Sequence, residues 1–404
     1  MKKPLYIIVT SYFPTPGRWN GAFVVHHAKA VKRTGRYDVV VIHMAYQGEE
    51  YEYDGIKVFP LLFDRKGAGF GWRKRARKNF EQLEKCLSSH GCVFSNDTVL
   101  VACKSTNADL TYVAKRRYPK VKTVVWLFDP DPYDAMLVSN RFNPFGLKRM
   151  MWYKRNLVCM NDADLVLPCS ENVAKIVKEF PRQTVQNSFW QMRRVMHDLR
   201  FCRHGQVKRM YKLNFGVDTS VFNCENIDKN SNVFEIGFVG HLWSHWYKDP
   251  VTLVKALGLI HKELGEWHCT FIGSGDTISW MEQFAKDNGF EGGLKFLKEM
   301  DYSKLPEFYR GLDLFCMPSY WEGFGCVFTE AYACGVPFIT CEGQGMDDLI
   351  YPEDRKLWLC KEQDPEDLAK KILYFYKNRP KQRLCGEIDI DKLIPAYLDE
   401  IEKL

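Results

Sequence analysis

Apolar positions along this chain fall in short runs rich in β-branched residues, separated by longer stretches in which they recur every three to four positions. A short run that is apolar throughout predicts a strand buried on both faces, and the wider spacing predicts an amphipathic helix. In the first half the predicted strands are Leu5–Thr10, Asp38–His43, 98–103, 123–128 and 163–168. Residues 21–34 place Phe23, Val24, Ala28 and Val31 on one side of a predicted helix, and 73–90 give another. Such alternation is the signature of parallel α/β units, with helices on both faces of a central sheet.

Near residue 218 the texture changes, and 219–232 is polar, Asn-rich and aperiodic, as linkers are. A second series of strands comes next: Phe234–Val239, Trp267–Ile272, Leu294–Leu297, 312–317, 336–340 and 356–360. Helices are predicted between them at 250–264, 278–288, Leu305–Arg310 and 325–334. The tail, Pro365–Asn378 and 388–404, reads as helical, and its last helix is expected to cross back to the first domain. The expected fold class is α/β, with two doubly wound, Rossmann-like domains facing across a cleft. They span 1–218 and 233–387, joined by the linker at 219–232.

Bulk properties narrow the class. A chain of 404 residues is long for one core, and 46% apolar with 26% charged residues is ordinary for a globular protein. No apolar run reaches the roughly 20 residues that cross a bilayer. The apolar start runs straight into Tyr12–Phe13–Pro14 without a small-residue cleavage site, so it reads as a first strand and not a signal peptide. None of the 14 cysteines pairs at Cys-x-x-Cys spacing, which argues against a zinc cluster or a thioredoxin-type site. Cys316 and Cys334 lie within apolar runs, a pattern that fits a reducing cytoplasm better than a disulfide framework.

The net charge of +7 is unevenly spread. Arg73–Lys74–Arg75–Ala76–Arg77–Lys78 follows Trp72; residues 148–155 mix base with Trp152 and Tyr153; and 189–209 carry Phe189, Trp190 and six basic residues or more. These are either solvated helix faces or contacts to an anionic membrane surface, since rings beside cations suit the headgroup layer. Nucleic acid is disfavoured, because the runs lie apart and no recognised nucleic-acid module accompanies them.

Three segments carry candidate chemistry. In the first, Gly237–Phe238–Val239–Gly240–His241 ends a strand at glycine, and Lys248–Asp249–Pro250 opens a helix. A lysine beside a helix N-terminus can meet a diphosphate, although a surface lysine near a helix start is the plainer alternative. In the second, Phe271–Ile272–Gly273–Ser274–Gly275–Asp276 repeats the strand–glycine–helix arrangement. Its Gly-x-Gly-x-x-Gly is incomplete and the first strand has none, so a nicotinamide or flavin enzyme is disfavoured. The third is the most specific: Met317–Pro318–Ser319, then Trp321–Glu322–Gly323–Phe324–Gly325, then a helix through Glu330. Two glutamates with seven residues between them place one in the loop and the other about two turns into the helix. The glycines turn N–H groups toward a ligand, the helix dipole points at it, and carboxylates accept well from sugar hydroxyls. Glu322 as a cap and Glu330 as an ordinary helical acid is the alternative; yet Glu330 lies among Phe328, Ala331 and Ala333, where a carboxylate needs a partner.

On these residues nearly the whole chain resembles glycosyltransferase family 4, retaining enzymes of the GT-B fold. The likeness is densest from Gly237 to Leu349 and includes the full Glu-x7-Glu signature, Glu322 and Glu330. Leu305–Pro306–Glu307–Phe308–Tyr309, Asp313–Leu314–Phe315, and Asn214–Phe215–Gly216–Val217–Asp218 with Phe222 are similar to other family segments, and Asn20–Gly21–Ala22–Phe23 looks like the family's N-terminal glycine loop. The resemblance implies transfer of a sugar from a UDP- or GDP-sugar to an acceptor hydroxyl, with the anomeric configuration kept and neither metal nor cofactor used. It implies Glu330 for the ribose; Glu322 with Gly323, Phe324 and Gly325 for the transferred sugar; and Lys248, with Gly240 and a protonated His241, for the diphosphate. The Gly273 turn and the Leu297 backbone would adjoin the nucleotide, while Asn20 and Gly21 would adjoin acceptor and phosphates.

Two departures are visible. His241 stands where the family carries a phosphate-binding arginine, and the stretch where a donor-touching histidine is usual reads Trp126–Leu127–Phe128–Asp129–Pro130–Asp131. Asp129 takes some of that role or caps a turn before proline. The acceptor suggested by the basic, aromatic first half is a lipid-linked or surface-polysaccharide precursor, met by a cytoplasmic enzyme peripheral on the inner membrane face.

Overall fold

The computed structural model describes residues 3–16, 20–64, 71–129, 155–179, 207, 209–225, 232–244 and 247–404. The basic segments at 148–154 and 189–206, and most of the polar stretch at 226–231, lie outside these residues. The chain divides into two units, Met1–Asn214 with Asp391–Leu404, and Phe215–Ile390.

The first unit holds a seven-stranded sheet in the order β3-β4-β2-β1-β5-β6-β7. Its strands are β1 (Leu5–Thr10), β2 (Asp38–His43), β3 (Tyr51–Tyr53), β4 (Ile56–Pro60), β5 (Val99–Cys103), β6 (Lys122–Leu127) and β7 (Leu165–Pro168). Every pairing is parallel except that of β3 with β4. That hairpin was not predicted, although Asp54–Gly55 between Tyr53 and Ile56 is a strong two-residue turn signal. Both residues take positive φ, 49° and 76°, as a primed turn requires.

Helices α1 (Ala22–Arg33), α2 (Trp72–Ser89), α3 (Ala108–Arg117) and α4 (Glu171–Glu179) follow their predicted positions where the sequence marked them. On α2 the buried stripe Ala76, Phe80, Leu83 and Leu87 recurs at helical spacing. Phe80, Leu83 and Leu87 meet Ile7, Val9, Ile42 and Leu100 of the sheet in one core, each such side chain contributing roughly 1.5–3 kcal/mol.

The second unit has a six-stranded parallel sheet in the order β10-β9-β8-β11-β12-β13. The strands are β8 (Phe234–Val239), β9 (Trp267–Ile272), β10 (Leu294–Leu297), β11 (Leu314–Cys316), β12 (Phe338–Cys341) and β13 (Leu359–Cys360). The interleaved helices are α5 (Pro250–Ile260), α6 (Ile278–Asp287), α7 (Leu305–Arg310), α8 (Cys326–Ala333) and α9 (Pro365–Asn378). The strand expected over 356–360 shrinks to Leu359–Cys360, because Arg355–Trp358 forms a helical turn. Trp358 is buried there at 6.0 Å from Phe375, and periodicity cannot separate helix from strand in so short an apolar run.

Residues 215–222 fold with the second unit. Val217 N–H donates to Ile388 O (2.7 Å), Ile390 N–H donates to Val217 O (3.0 Å), and Phe222 packs on Tyr302 and Tyr309. The last helix, α10 (Ile390–Glu402), belongs to the first unit from Asp391 onward. Its Ile394, Tyr397, Leu398 and Ile401 are buried, and Tyr397 Oη lies 2.8 Å from Tyr6 Oη on β1. Arg36 adds ion pairs to Asp399 (2.7 Å) and Glu402 (3.2 Å). In both units the strand order, leaving aside β3, is that of the doubly wound nucleotide-binding folds. Ligands of such sheets meet the carboxyl ends of the strands where the order reverses. That point lies between β1 and β5 in the first unit and between β8 and β11 in the second.

Candidate functional site

In the second unit the reversal point gathers the three predicted segments. Gly240 follows β8, and its N–H donates to Ile272 O (3.0 Å). Gly273 N–H donates to Leu297 O (3.0 Å), so these two and Gly240 lie side by side at the strands' carboxyl ends. A Cβ on Gly273 would stand 2.0 Å from Gly240 O, which makes this glycine obligatory. The Leu297 carbonyl is thus engaged within the sheet edge, while its side chain is exposed.

Lys248 is positioned by the helix start next to it. Asp249 caps α5, accepting Thr252 N–H (3.1 Å) and Thr252 Oγ1–H (2.7 Å), and Pro250 occupies the first turn. The loop before Lys248 is tied to the loop after β11: Tyr247 O accepts both Ser319 Oγ–H and Tyr320 N–H at 3.0 Å. Across this joint the Lys248 ammonium pairs with the Glu322 carboxylate, with side-chain exposures of 19% and 13%.

Glu322 is held by its backbone as well. Its N–H donates to Gln344 Oε1 (2.8 Å), its carbonyl accepts Gly345 N–H (3.1 Å), and Gln344 Nε2 donates to Glu362 Oε1 (3.0 Å). A Cβ on Gly345 would fall 2.2 Å from Gly323 O. Phe324 is buried against Phe215 at 5.5 Å, and Gly325, at φ 87°, opens α8 without a side-chain cap.

Glu330 lies just over one turn into α8, not two, because the helix begins at Cys326. It is 4% exposed. Its two oxygens accept hydrogen bonds from Tyr302 Oη (2.9 Å) and Tyr309 Oη (3.0 Å), the partners that its apolar setting demanded. Burial raises its pKa to about 7 against the opposing pull of both tyrosines.

His241 is corrected. Burial first, then the nearby Lys248 charge, push its pKa below the ordinary range, so it stands neutral at pH 7 and not protonated.

In the first unit Gly21 opens α1 with φ 78°, and a Cβ there would lie 2.5 Å from the Tyr12 carbonyl carbon. Asn20 is exposed beside it. Asp129, after β6, pairs with Lys104 Nζ at 2.7 Å. Phe128 fills the space between, 5.7 Å from Tyr12 and 4.6 Å from Phe23.

Sequence reasoning missed Tyr302, Gln344 and Lys104 altogether. Each stands beside an element that was predicted, so its position was legible while its direction was not. Among the described residues no group of three or more His, Cys, Asp or Glu is placed to hold a metal ion. Nor is any described helix long and apolar enough to cross a membrane.

Comparison with known proteins now bears on this geometry. Residues 223–390, all within the second unit, match the family model for glycosyl transferases group 1. An uncharacterized glycosyltransferase of Haemophilus influenzae is 25% identical over 168 residues, covering 39% of this chain and 46% of the relative. The D-inositol 3-phosphate glycosyltransferase of Stackebrandtia nassauensis is 30% identical over 216 residues, 46% of this chain and 48% of that protein. The chain thus spans a little under half the length of both relatives. Among solved structures, Anabaena Alr3699/HepE in complex with UDP and glucose aligns over 99% of this chain and 100% of its own, with TM-score 0.66 and 15% identity. At that identity the likeness is one of fold. The fold is GT-B: two parallel-sheet α/β domains, the second carrying the group 1 match.

Proposed function

We propose that the protein is a retaining glycosyltransferase of family 4. It moves a sugar from a UDP- or GDP-sugar to an acceptor hydroxyl on a lipid-linked or surface-polysaccharide precursor. The observation that carries this reading is the Lys248–Glu322 pair at the reversal point of the second sheet, inside the segment that matches glycosyl transferases group 1. A cation and a carboxylate side by side suit a donor whose diphosphate departs as its sugar is held.

Lys248 and the N–H groups opening α8 stabilise the departing diphosphate, which gives the positive charge a metal would otherwise supply. Glu322 holds sugar hydroxyls, and Glu330 accepts from the ribose with lone pairs that the tyrosines leave over. The bond from the anomeric carbon to the β-phosphate oxygen breaks, and the acceptor oxygen bonds to that carbon on the same face. The released β-phosphate takes the acceptor's proton, so the nucleoside diphosphate leaves and configuration is kept. Support for a membrane-bound acceptor comes from α2, whose Arg73, Lys74, Arg77 and Lys78 are exposed.

The test is calorimetry with a panel of UDP- and GDP-sugars, followed by turnover with the tightest donor and NMR of the product's anomeric proton. Binding of one donor with a retained configuration is the expected result. Absence of binding by every nucleotide sugar would defeat the reading, and an inverted product would defeat its retaining part.

A further inference from the structure

Lys104 follows β5 at the point where the order of the first sheet reverses, and its backbone is anomalous. Its φ of 68° and ψ of 151° lie in a region that is essentially reserved for glycine. Asp249 and Arg379 also have positive φ, but with ψ of 56° and 48° they sit in the ordinary left-handed well. The strained turn is fixed by its own backbone: Lys104 N–H donates to Trp126 O (2.8 Å), and its carbonyl accepts Asn107 N–H (3.2 Å).

The strain aims the ammonium at two groups. Lys104 Nζ lies 2.7 Å from Asp129 Oδ2 and 5.4 Å from the centre of the Tyr12 ring. Tyr12 is itself fixed, since its N–H donates to Thr10 Oγ1 (2.9 Å) and Gly21 leaves room for its carbonyl. Lys104 and Asp129 side chains are 23% and 28% exposed, so the pair is reachable from solvent. A half-exposed ion pair contributes too little to hold a lysine in a glycine conformation, and strain of this kind collects at ligand sites.

We propose that Lys104, Asp129 and the Tyr12 ring form a sugar-binding subsite in the first unit, recognising neighbouring hydroxyls of a neutral pyranose. The ammonium donates to one hydroxyl, the carboxylate accepts from the next, and the ring offers an apolar face to the sugar's C–H groups. Because the pair is neutral as a whole, a free phosphate meets Asp129 as well as Lys104 and is disfavoured. The proposal rests on the glycosyltransferase reading only in deciding whose sugar is bound, the donor's or the acceptor's.

Saturation-transfer NMR on the full chain tests it, with methyl α-glycosides of glucose, galactose, mannose and N-acetylglucosamine as probes and no turnover required. At least one glycoside is expected to give signals that fall at least fivefold in Lys104→Gly, Lys104→Met and Asp129→Asn, while UDP signals persist. The melting temperature of Lys104→Gly is expected to equal or exceed that of the parent, because glycine relieves the strain. No glycoside signal, equal signals in all variants, displacement by millimolar inorganic phosphate, or a lowered melting temperature for Lys104→Gly would each overturn the subsite. Competition by UDP-glucose assigns the sugar to the donor, and persistence in its presence assigns it to the acceptor. Failure of UDP to bind would count against the glycosyltransferase reading alone.

Discussion

The Lys248 ammonium and the Glu322 carboxylate close an ion pair between the loop before α5 and the loop before α8. Each is the other's partner while also being placed for a different part of the donor. Lys248→Met or Glu322→Gln therefore removes a charge and strands its neighbour. Each is expected to lower kcat about 10²–10³-fold, as loss of one transition-state contact does. Each should also destabilise the second unit by about 2 kcal/mol, between the values for exposed and buried pairs. The double variant should recover part of the melting temperature and none of the activity. Calorimetric melting beside initial rates checks both, and full recovery of activity in the double variant would contradict the assignment.

Glu330 gives a pH dependence with a defined sign. Its folded-state pKa, raised from 4.5 to about 7, means that the folded protein holds this proton more tightly than the unfolded chain. The stabilisation is complete below the unfolded value and is lost as pH rises through about 7, amounting to about 3 kcal/mol. Glu330→Gln should flatten that loss between pH 5 and pH 8 in denaturant melts. UDP affinity is expected to move oppositely in the parent, rising with pH as the carboxylate ionises to accept ribose hydroxyls. Calorimetry at pH 5.5, 7 and 8.5 reads it, and a pH-independent affinity would exclude Glu330 from the ribose.

Legibility in the sequence depends on which interactions are local. β1, β2, β8, β9 and β10 appear at their predicted bounds because a strand buried on both faces must be apolar throughout. The Glu322 loop was legible because glycines mark close backbone approach before a helix starts. Tyr302, Gln344 and Lys104 were not, since nothing local tells whether a polar side chain turns toward a ligand site or to solvent. Glu330 lies between the two cases: its need for a partner could be read from its apolar neighbours, and the identity of Tyr302 and Tyr309 could not. The Asp54–Gly55 turn was plainly written and is a lesson in reading short runs.

Gly345 is expected to be as necessary as the glutamate it supports. With a Cβ 2.2 Å from Gly323 O, alanine must push one of two backbones away. Since Gly345 N–H and Gln344 Oε1 grip both sides of the Glu322 peptide, the shift reaches the sugar-holding carboxylate. Gly345→Ala should cost about 1–3 kcal/mol and raise the donor KM, whereas Gln344→Ala should lower kcat with a smaller loss of stability. Steady-state kinetics with melting curves separates them; unchanged kinetics in both would free Glu322 from this support.

His27 predicts acid sensitivity of the first unit. It is fully buried, 2.7 Å from Tyr6 Oη, and burial lowers its pKa to about 3. The folded state therefore resists a proton that the unfolded chain accepts below 6.5. Stability is full above that value and is lost as pH falls, by about 2 kcal/mol at pH 5. His27→Gln, which does not titrate, should reduce the difference between melts at pH 7.5 and pH 5. An undiminished difference would show that another group carries the acid response.

The exposed cations of α2 bear on where the acceptor is met. Arg73, Lys74, Arg77 and Lys78 are exposed on one helix, and Arg73 lies over the Trp72 ring at 4.8 Å. Trp72 is itself 5.1 Å from Tyr112, so its ring is braced on α3. Contact with an anionic bilayer through α2 then rests on charge more than on ring insertion. Each cation is worth about 1 kcal/mol near such a surface, and replacing all four with glutamine should weaken binding by more than about 10²-fold. Charge-driven binding is screened by salt over about 10 Å at 0.1 M, so the parent should also release as salt rises. Cosedimentation with vesicles containing 30% phosphatidylglycerol, at 0.05 and 0.5 M salt, measures both effects. Equal binding by parent and variant at low salt would place the acceptor contact elsewhere, because no other property of α2 changes in that substitution.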